Sequence, residues 1–126
     1  MADVNRGNRP LSPHLSIYRP QWTSIMSIAH RITGCALSLG AILVVWWLLA
    51  AASGPDYFAT ADGLLTSWIG NLIMFGSLFA LCFHACNGVR HLIWDLGLML
   101  DPEQSEVAGK MTLVLAGVLT VLIWIL

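Results

Sequence analysis

The stretch that decides the fold is His84-Ala85-Cys86-Asn87-Gly88-Val89-Arg90-His91-Leu92-Ile93-Trp94-Asp95, at the end of a long apolar run. Its polar and small residues recur at i, i+3, i+4, i+7 and i+11, which is one face of a helix: His84, Asn87, Gly88, His91 and Asp95. His84 lies inside the apolar run, roughly 9 Å of helix before Arg90. An imidazole at that depth in a bilayer is unfavourable without a partner and therefore indicates a functional site.

Gly88 follows His84 by one helical turn and leaves the backbone bare beside the imidazole. A flat, bulky group could lie against this surface, and a haem bound by His84 is the obvious candidate. The alternative is a histidine that only donates a hydrogen bond to a neighbouring helix. The spacing alone leaves both interpretations open.

Composition places this helix face in a membrane. The chain has 126 residues, of which 57% are hydrophobic and 10% charged, whereas about a quarter of the residues in soluble domains are charged. A soluble domain of this length could not bury so much apolar surface, so the lipid bilayer is the expected surrounding. The net charge of -1 gives no argument for nucleic acid as a partner.

Uncharged runs and turn-forming residues divide the chain into segments. The first 21 residues are polar and rich in arginine and proline, without the apolar core of a signal peptide, and a transit peptide is also disfavoured. We expect this segment to lie along the membrane surface or against a soluble partner; a disordered tail is the alternative. The sequence predicts an all-α membrane protein with three transmembrane helices: N-terminal segment 1–21, first helix 22–52, loop 53–62, second helix 63–95, loop 96–106 and third helix 107–126.

The cations predict the orientation. All six fall on one side of a three-span topology, and the loop 53–62 contains none: Arg6, Arg9, Arg19, Arg31, Arg90 and Lys110. The positive-inside rule then puts the N-terminus and the loop 96–106 in the cytoplasm, and the loop 53–62 and the C-terminus outside. Tryptophans fit the same orientation, with two near the inner interface and four toward the outer one: Trp22 and Trp94, then Trp46, Trp47, Trp68 and Trp124.

A second polar group opens the first predicted helix, with Ser24, Ser27 and Arg31 on one face and His30 about 100° away from Arg31. Hydroxyls and a guanidinium at the membrane edge could bind the carbonyl of a quinone whose tail remains in lipid. Arg31 and His30 could equally bind haem propionates, since arginine suits carboxylates. The alternative is an interfacial anchor whose serines bond to their own helix backbone.

Three stretches together resemble the cytochrome b556 subunit family of succinate dehydrogenase over essentially the full chain. They are Arg9-Pro10-Leu11-Ser12-Pro13-His14-Leu15-Ser16-Ile17-Tyr18, then Ser27-Ile28-Ala29-His30-Arg31-Ile32-Thr33-Gly34, and the stretch from His84 to Asp95. The motifs S-x-x-x-R-x-[ST]-G and H-x-x-x-G-x-R-H-x-x-x-D are specific in combination. The resemblance implies a membrane anchor of respiratory complex II, which passes electrons from succinate oxidation to ubiquinone in the respiratory chain and the tricarboxylic acid cycle.

The resemblance also implies roles for single residues. His84 resembles the axial haem b ligand, and Ser27 and Arg31 resemble residues of the ubiquinone site. His30 and His91, with Arg31, resemble residues close to the haem propionates. The Pro-Leu-Ser-Pro-His segment is similar to alphaproteobacterial and mitochondrial members, and we expect a bacterial inner membrane, crossed several times, as the location.

Ligand stoichiometry predicts a partner chain. A six-coordinate haem needs two axial ligands, and His84 is the only histidine well inside a predicted span; His91 is roughly 10 Å further along the helix. We therefore expect the second ligand from another anchor subunit, so that the chain forms half of a heterodimeric, haem-containing bundle.

The chain contains no flavin or iron–sulfur motif, so we expect succinate to be oxidised by a flavoprotein subunit and electrons to arrive through an iron–sulfur subunit. The chain by itself would not catalyse succinate oxidation, although it would contribute to the quinone site. Two alternatives remain open: the haem b anchor of a fumarate-reducing or quinol-oxidising complex, and a structural anchor without haem.

Overall fold

The structure, a computed structural model, describes residues 17–126 and consists of four helices in this range. In chain order they are α1 Trp22–Ser53, α2 Pro55–Leu65, α3 Trp68–Asp95 and α4 Pro102–Ile125. Most of the expected N-terminal segment, with Arg6, Arg9 and His14, lies outside the described residues. Residues 17–126 contain no β-strand.

Three of these helices, α1, α3 and α4, are long and apolar enough to cross a membrane. Their lengths of 32, 28 and 24 residues exceed the roughly 20 residues that the hydrocarbon core requires. This confirms the predicted all-α class with three candidate membrane helices.

Residues 53–62, which were expected to form a loop, are mostly helical and belong to the short helix α2. Gly54, at φ 139°, ends α1. Pro55 then occupies the first turn of α2, and Asp56 places a carboxylate near the N-terminus of that helix. Ser67 then caps α3 by accepting a hydrogen bond from the Gly70 amide at 3.1 Å. The second long helix therefore begins at Trp68 instead of residue 63.

The connection expected over residues 96–106 is also shorter than its composition suggested. Asp101 caps α4, since its Oδ1 accepts the backbone amides of Glu103 at 3.0 Å and Gln104 at 3.5 Å. Pro102 follows at the first helical position, where it needs no amide partner. Residues 102–106 are thus helical, and the polar turn is confined to residues 96–101.

Helix α3 is the central element, because it packs against both α1 and α4, which contact each other less. The buried apolar core is small and joins all three long helices: Met26, Cys82, Phe83 and Ala116. Helix α1 buries only Met26 and Ala50. Most apolar side chains therefore face outward, as expected for a chain covered by lipid or by partner helices.

Candidate functional site

Three histidines from two helices meet near the C-terminal end of α3 and form what we call the imidazole stack: His84, His30 and His91. The ring of His30 in α1 lies between the other two. Its centroid is 3.8 Å from that of His84, with planes 12° apart, and 5.1 Å from that of His91, with planes 22° apart. The structure therefore brings together all three histidines that the sequence singled out.

The ring of His30 lies close to His84. From the sequence, we expect His30 near the cytoplasmic edge and only His84 well inside a span. In the structure His30 lies roughly 12 Å along α1 from Trp22, and its ring stacks on that of His84. Helices α1 and α3 thus bring these two rings together.

The hydrogen bonds of His84 define its tautomer. Its Nδ1 lies 3.1 Å from the backbone carbonyl oxygen of His30. A carbonyl oxygen can only accept, so Nδ1 carries the proton and donates it. In the neutral ring, Nε2 then keeps its lone pair, which is the form of histidine that binds a metal.

Thr33 and Gly34 of α1 border the same ring. The hydroxyl of Thr33 lies 3.3 Å from His84 Nδ1 and also 2.9 Å from the carbonyl oxygens of Ala29 and His30, to which it donates. A Cβ added at Gly34 would lie 3.1 Å from His84 Cε1, so glycine permits this close approach. The sequence analysis gave neither residue a role, although both belong to the quoted motif.

His91 is fixed from its own helix. Its Nδ1 lies 2.7 Å from the carbonyl oxygen of Asn87, one turn earlier, and therefore donates to it. The ring of Trp94 meets His91 edge-on, with centroids 5.0 Å apart. By the same reasoning as for His84, the Nε2 of a neutral His91 carries a lone pair.

A second polar cluster, which we call the guanidinium clamp, lies beside the stack and consists of Arg90, Asn87 and Ser105. Arg90 is only 4% exposed. Its Nη1 donates to Asn87 Oδ1 at 3.2 Å, and its Nη2 donates to the carbonyl oxygen and the hydroxyl of Ser105 at 3.0 and 3.1 Å. The guanidinium also lies 4.0 Å above the ring of Trp94.

The clamp changes the interpretation of Arg90. Its position in the sequence predicts a cation at the membrane surface, but the side chain turns inward and ties α3 to the first turn of α4. The contacts depend on Ser105, fifteen residues away across a turn. No local sequence pattern indicates such a pairing.

The two residues expected to bind quinone lie in the first three turns of α1. Ser27 is half-buried and Arg31 is exposed, and within residues 17–126 neither side chain makes a hydrogen bond or an ion pair. A cavity of about 530 Å³ opens between the start of α1 and α4, lined by Trp22, Pro102 and Ser105 among others but not by Ser27 or Arg31. The described residues thus do not bring Ser27 and Arg31 into a closed site.

The face that follows His84 is open. A Cβ added at Gly88 would meet no atom within 4 Å, so the bare backbone is not required for packing inside the described part of the chain. Residues 17–126 also contain no group of three histidine, cysteine, aspartate or glutamate side chains that could hold a metal ion. Beside this open surface, His84 offers the lone pair of its Nε2 atom.

Comparisons with known proteins identify a family of similar sequences. Residues 5–123 match the family described as "Succinate dehydrogenase/Fumarate reductase transmembrane subunit". The chain is 49% identical over 122 residues to the succinate dehydrogenase cytochrome b556 subunit of Paracoccus denitrificans, covering 97% of this chain and 94% of that protein. It is 37% identical over 117 residues to the subunit of the same name from Rickettsia prowazekii, covering 93% and 91%. It is also 42% identical over 124 residues to the cytochrome b560 subunit of Marchantia polymorpha, covering 91% and 88%.

Proposed function

The chain belongs to the family of succinate dehydrogenase/fumarate reductase transmembrane subunits, and from this premise we propose that His84 binds haem b and that Ser27 and Arg31 bind ubiquinone. It is a membrane-anchoring cytochrome b subunit of succinate dehydrogenase, and it works in a complex with other subunits. The names of its relatives favour this function over a fumarate-reducing complex and over an anchor without haem.

The contact between His84 Nδ1 and the His30 carbonyl oxygen is the observation that carries the haem proposal. When Nδ1 donates its proton to the His30 carbonyl oxygen, Nε2 is the only ring nitrogen with a lone pair for a metal. Histidines that bind metals usually make such a hydrogen bond through their other nitrogen. The open backbone at Gly88, one turn away, leaves space for a flat ring system. These residues therefore fit one axial position of a b-type haem, which when bound supplies a one-electron acceptor within the membrane.

The second axial ligand comes from a second anchor subunit in this proposal. His84 and His91 lie on either side of the His30 ring, so these two cannot share one iron. The outward-facing apolar surfaces of α1 and α3 offer room for partner helices. The remaining partners are the iron–sulfur subunit and the flavoprotein subunit, where succinate is oxidised.

We assign His30, His91 and Arg31 to the surroundings of the haem propionates. The Nδ1 of His30 is buried and has no hydrogen-bond partner within residues 17–126, which is unfavourable unless another group binds it. Arg31 follows His30 directly and is exposed, so its guanidinium is accessible to a carboxylate. Arg31 would donate to a carboxylate and neutralise its charge, and His91 would do so from Nε2 in its protonated form.

For ubiquinone, Ser27 and Arg31 form one wall of the site, which partner subunits complete. They are one helical turn apart on the same face of α1, so a hydroxyl donor and a cation address the same region. Reduction puts negative charge on the quinone carbonyl oxygen, and both groups stabilise this charge more than they stabilise the neutral quinone. Both side chains are at least partly accessible in this chain, as a site shared with partner subunits requires.

We further propose that the chain lies in a bacterial inner membrane with its N-terminus and the turn 96–101 in the cytoplasm. The support is the one-sided distribution of cations along the sequence. Reporter fusions after Leu126 and within residues 53–62 should both indicate the external side. A cytoplasmic signal from either fusion would reject this topology.

Purification of the complex through a tag on this chain tests the function as a whole. We expect a dithionite-reduced spectrum with the bands of a b-type haem, and electron transfer from succinate to a ubiquinone analogue. A complex without haem bands would contradict the assignment of His84. A complex with haem but without succinate–ubiquinone activity would contradict the assignment of the quinone site.

A further inference from the structure

The Nδ1 side of His84 faces two oxygens, and both belong to α1. One is the backbone carbonyl of His30 at 3.1 Å, and the other is the hydroxyl of Thr33 at 3.3 Å. These contacts join the His84 imidazole on α3 to the backbone and a side chain of α1. They restrict the rotation of the imidazole, so α1 sets its orientation.

The hydroxyl of Thr33 has only one hydrogen. It donates this hydrogen to the carbonyl oxygens of Ala29 and His30, each 2.9 Å away, in the back-bonded arrangement common for threonine in helices. Its lone pairs then remain available to the proton on His84 Nδ1. The ring proton is thus shared between a hydroxyl oxygen and a carbonyl oxygen, while a β-branched side chain with restricted χ1 holds the hydroxyl in place.

Gly34 completes this arrangement on the other edge of the ring. A Cβ at this position would lie 3.1 Å from His84 Cε1, closer than a methyl group normally approaches a ring atom, and 3.6 Å from Nδ1, an ordinary contact. Any larger residue would push the imidazole away from α1 and lengthen its hydrogen bonds. The Thr33-Gly34 pair therefore combines an acceptor with the space needed to reach it.

We propose that Thr33 is a positioning residue for the haem, acting through His84, with Gly34 providing the close approach on which this depends. The proposal rests on the assignment of His84 as an axial ligand. A hydrogen bond accepted from Nδ1 increases electron donation from Nε2 to the iron and fixes the plane of the ring. Removal of the Thr33 hydroxyl should weaken both effects and so favour the ferrous state.

Thr33→Val tests the hydroxyl with little change in shape. In the purified complex we expect a higher haem midpoint potential and an altered electron paramagnetic resonance spectrum of the oxidised haem, because the imidazole is less basic and its plane less restrained. Thr33→Ser keeps the hydroxyl, so its haem midpoint potential and resonance spectrum should be close to those of the wild type. Ser38→Ala is the matched control, since the Ser38 hydroxyl donates only to the Gly34 carbonyl oxygen in the same helix.

Gly34→Ala provides a second and independent test in case Thr33→Val does not assemble. It should alter the haem resonance spectrum by displacing the ring, while Gly40→Ala, where a Cβ meets only the Ser77 hydroxyl at an ordinary 3.7 Å, should not. Wild-type potential and spectrum in Thr33→Val, or in Gly34→Ala if only that variant assembles, would overturn the proposal. Haem bands that persist unchanged in His84→Leu would instead reject the axial ligand itself, so the two failures are distinguishable.

Discussion

The guanidinium clamp and the imidazole stack lie within two turns of each other on α3, yet they differ in how their polar atoms are used. In the clamp, the terminal nitrogens of Arg90 donate to Asn87 and Ser105, and all three side chains are buried. In the stack, the Nδ1 atoms of His84 and His91 donate to backbone oxygens, whereas their Nε2 atoms keep lone pairs.

This difference separates a structural cluster from the proposed binding site. A buried charge is stable only when its hydrogen bonds are made, and the bonds of both terminal nitrogens hold α3 against α4. Within residues 17–126 only the Nε of Arg90 lacks a partner in the clamp. The stack makes only the hydrogen bonds that fix the orientation of its rings. Sequence spacing treats Arg90 and His91 as equivalent neighbours, and only their contacts tell them apart.

The largest effect is expected for Arg90→Leu, which should impair assembly of the complex. The variant leaves Asn87 and Ser105 buried without their partner, at roughly 1–3 kcal/mol for each unsatisfied group. We expect less complex in the membrane and faster thermal inactivation, while the haem spectrum of the assembled fraction stays like that of the wild type.

Lys110→Leu is the matched control for Arg90→Leu, because Lys110 pairs with Glu106 at 2.7 Å on an exposed surface. Such pairs contribute about 0–1 kcal/mol. An Arg90→Leu complex as stable as this control would show that the clamp is not structural.

A smaller effect is expected at Ser27, which lies about one turn before His30 on α1 and belongs to the proposed quinone site. Ser27→Ala would remove the proposed hydrogen bond to a quinone oxygen that gains charge, worth about 1.5–3 kcal/mol. We therefore expect a roughly ten- to hundredfold loss in kcat/KM for the quinone. Electron delivery to an artificial acceptor that bypasses the membrane site should persist, and Ser38→Ala should resemble the wild type. Normal quinone kinetics in an assembled Ser27→Ala complex would return Ser27 to the ordinary helix-facing serines.

The smallest effect concerns Gly109, where α4 touches the clamp. A Cβ there would lie 2.7 Å from Trp22 Nε1 and 3.6 Å from Arg90 Nη2. Gly109→Ala should therefore destabilise the complex by about 1–3 kcal/mol through overpacking. Gly117→Ala, on the same helix with no atom within 4 Å of the added Cβ, should not reduce thermal stability. Equal stability of the two variants would mean that the packing around the clamp is loose.

Much of the fold could be predicted from the sequence, because uncharged runs of membrane length have few alternative structures. The three long helices and the His84 face follow from this constraint. The caps were harder to predict: Pro55 and Asp101 each start a helix inside a stretch whose composition indicates a loop. Such residues favour turns and helix starts alike, and only the completed hydrogen bonds distinguish the two.

The candidate site could be predicted only in part, because its parts come from helices that are far apart in sequence. Spacing on α3 identifies His84 and His91 as neighbours along one face. It cannot show that His30 enters between them, or that Thr33 reaches His84 across 51 positions. The partners of Ser27 and Arg31 are a further step away, since the proposed site is completed by other chains.

The most direct test of the central claim, that His84 binds the haem through Nε2, compares His84→Leu with His91→Leu in the purified complex. Both variants remove an imidazole from the same stack, so effects on packing are matched. We predict that His84→Leu loses the low-spin haem bands in the reduced-minus-oxidised spectrum, whereas His91→Leu retains them. Unchanged bands and midpoint potential in His84→Leu, or loss of the bands only in His91→Leu, would contradict it.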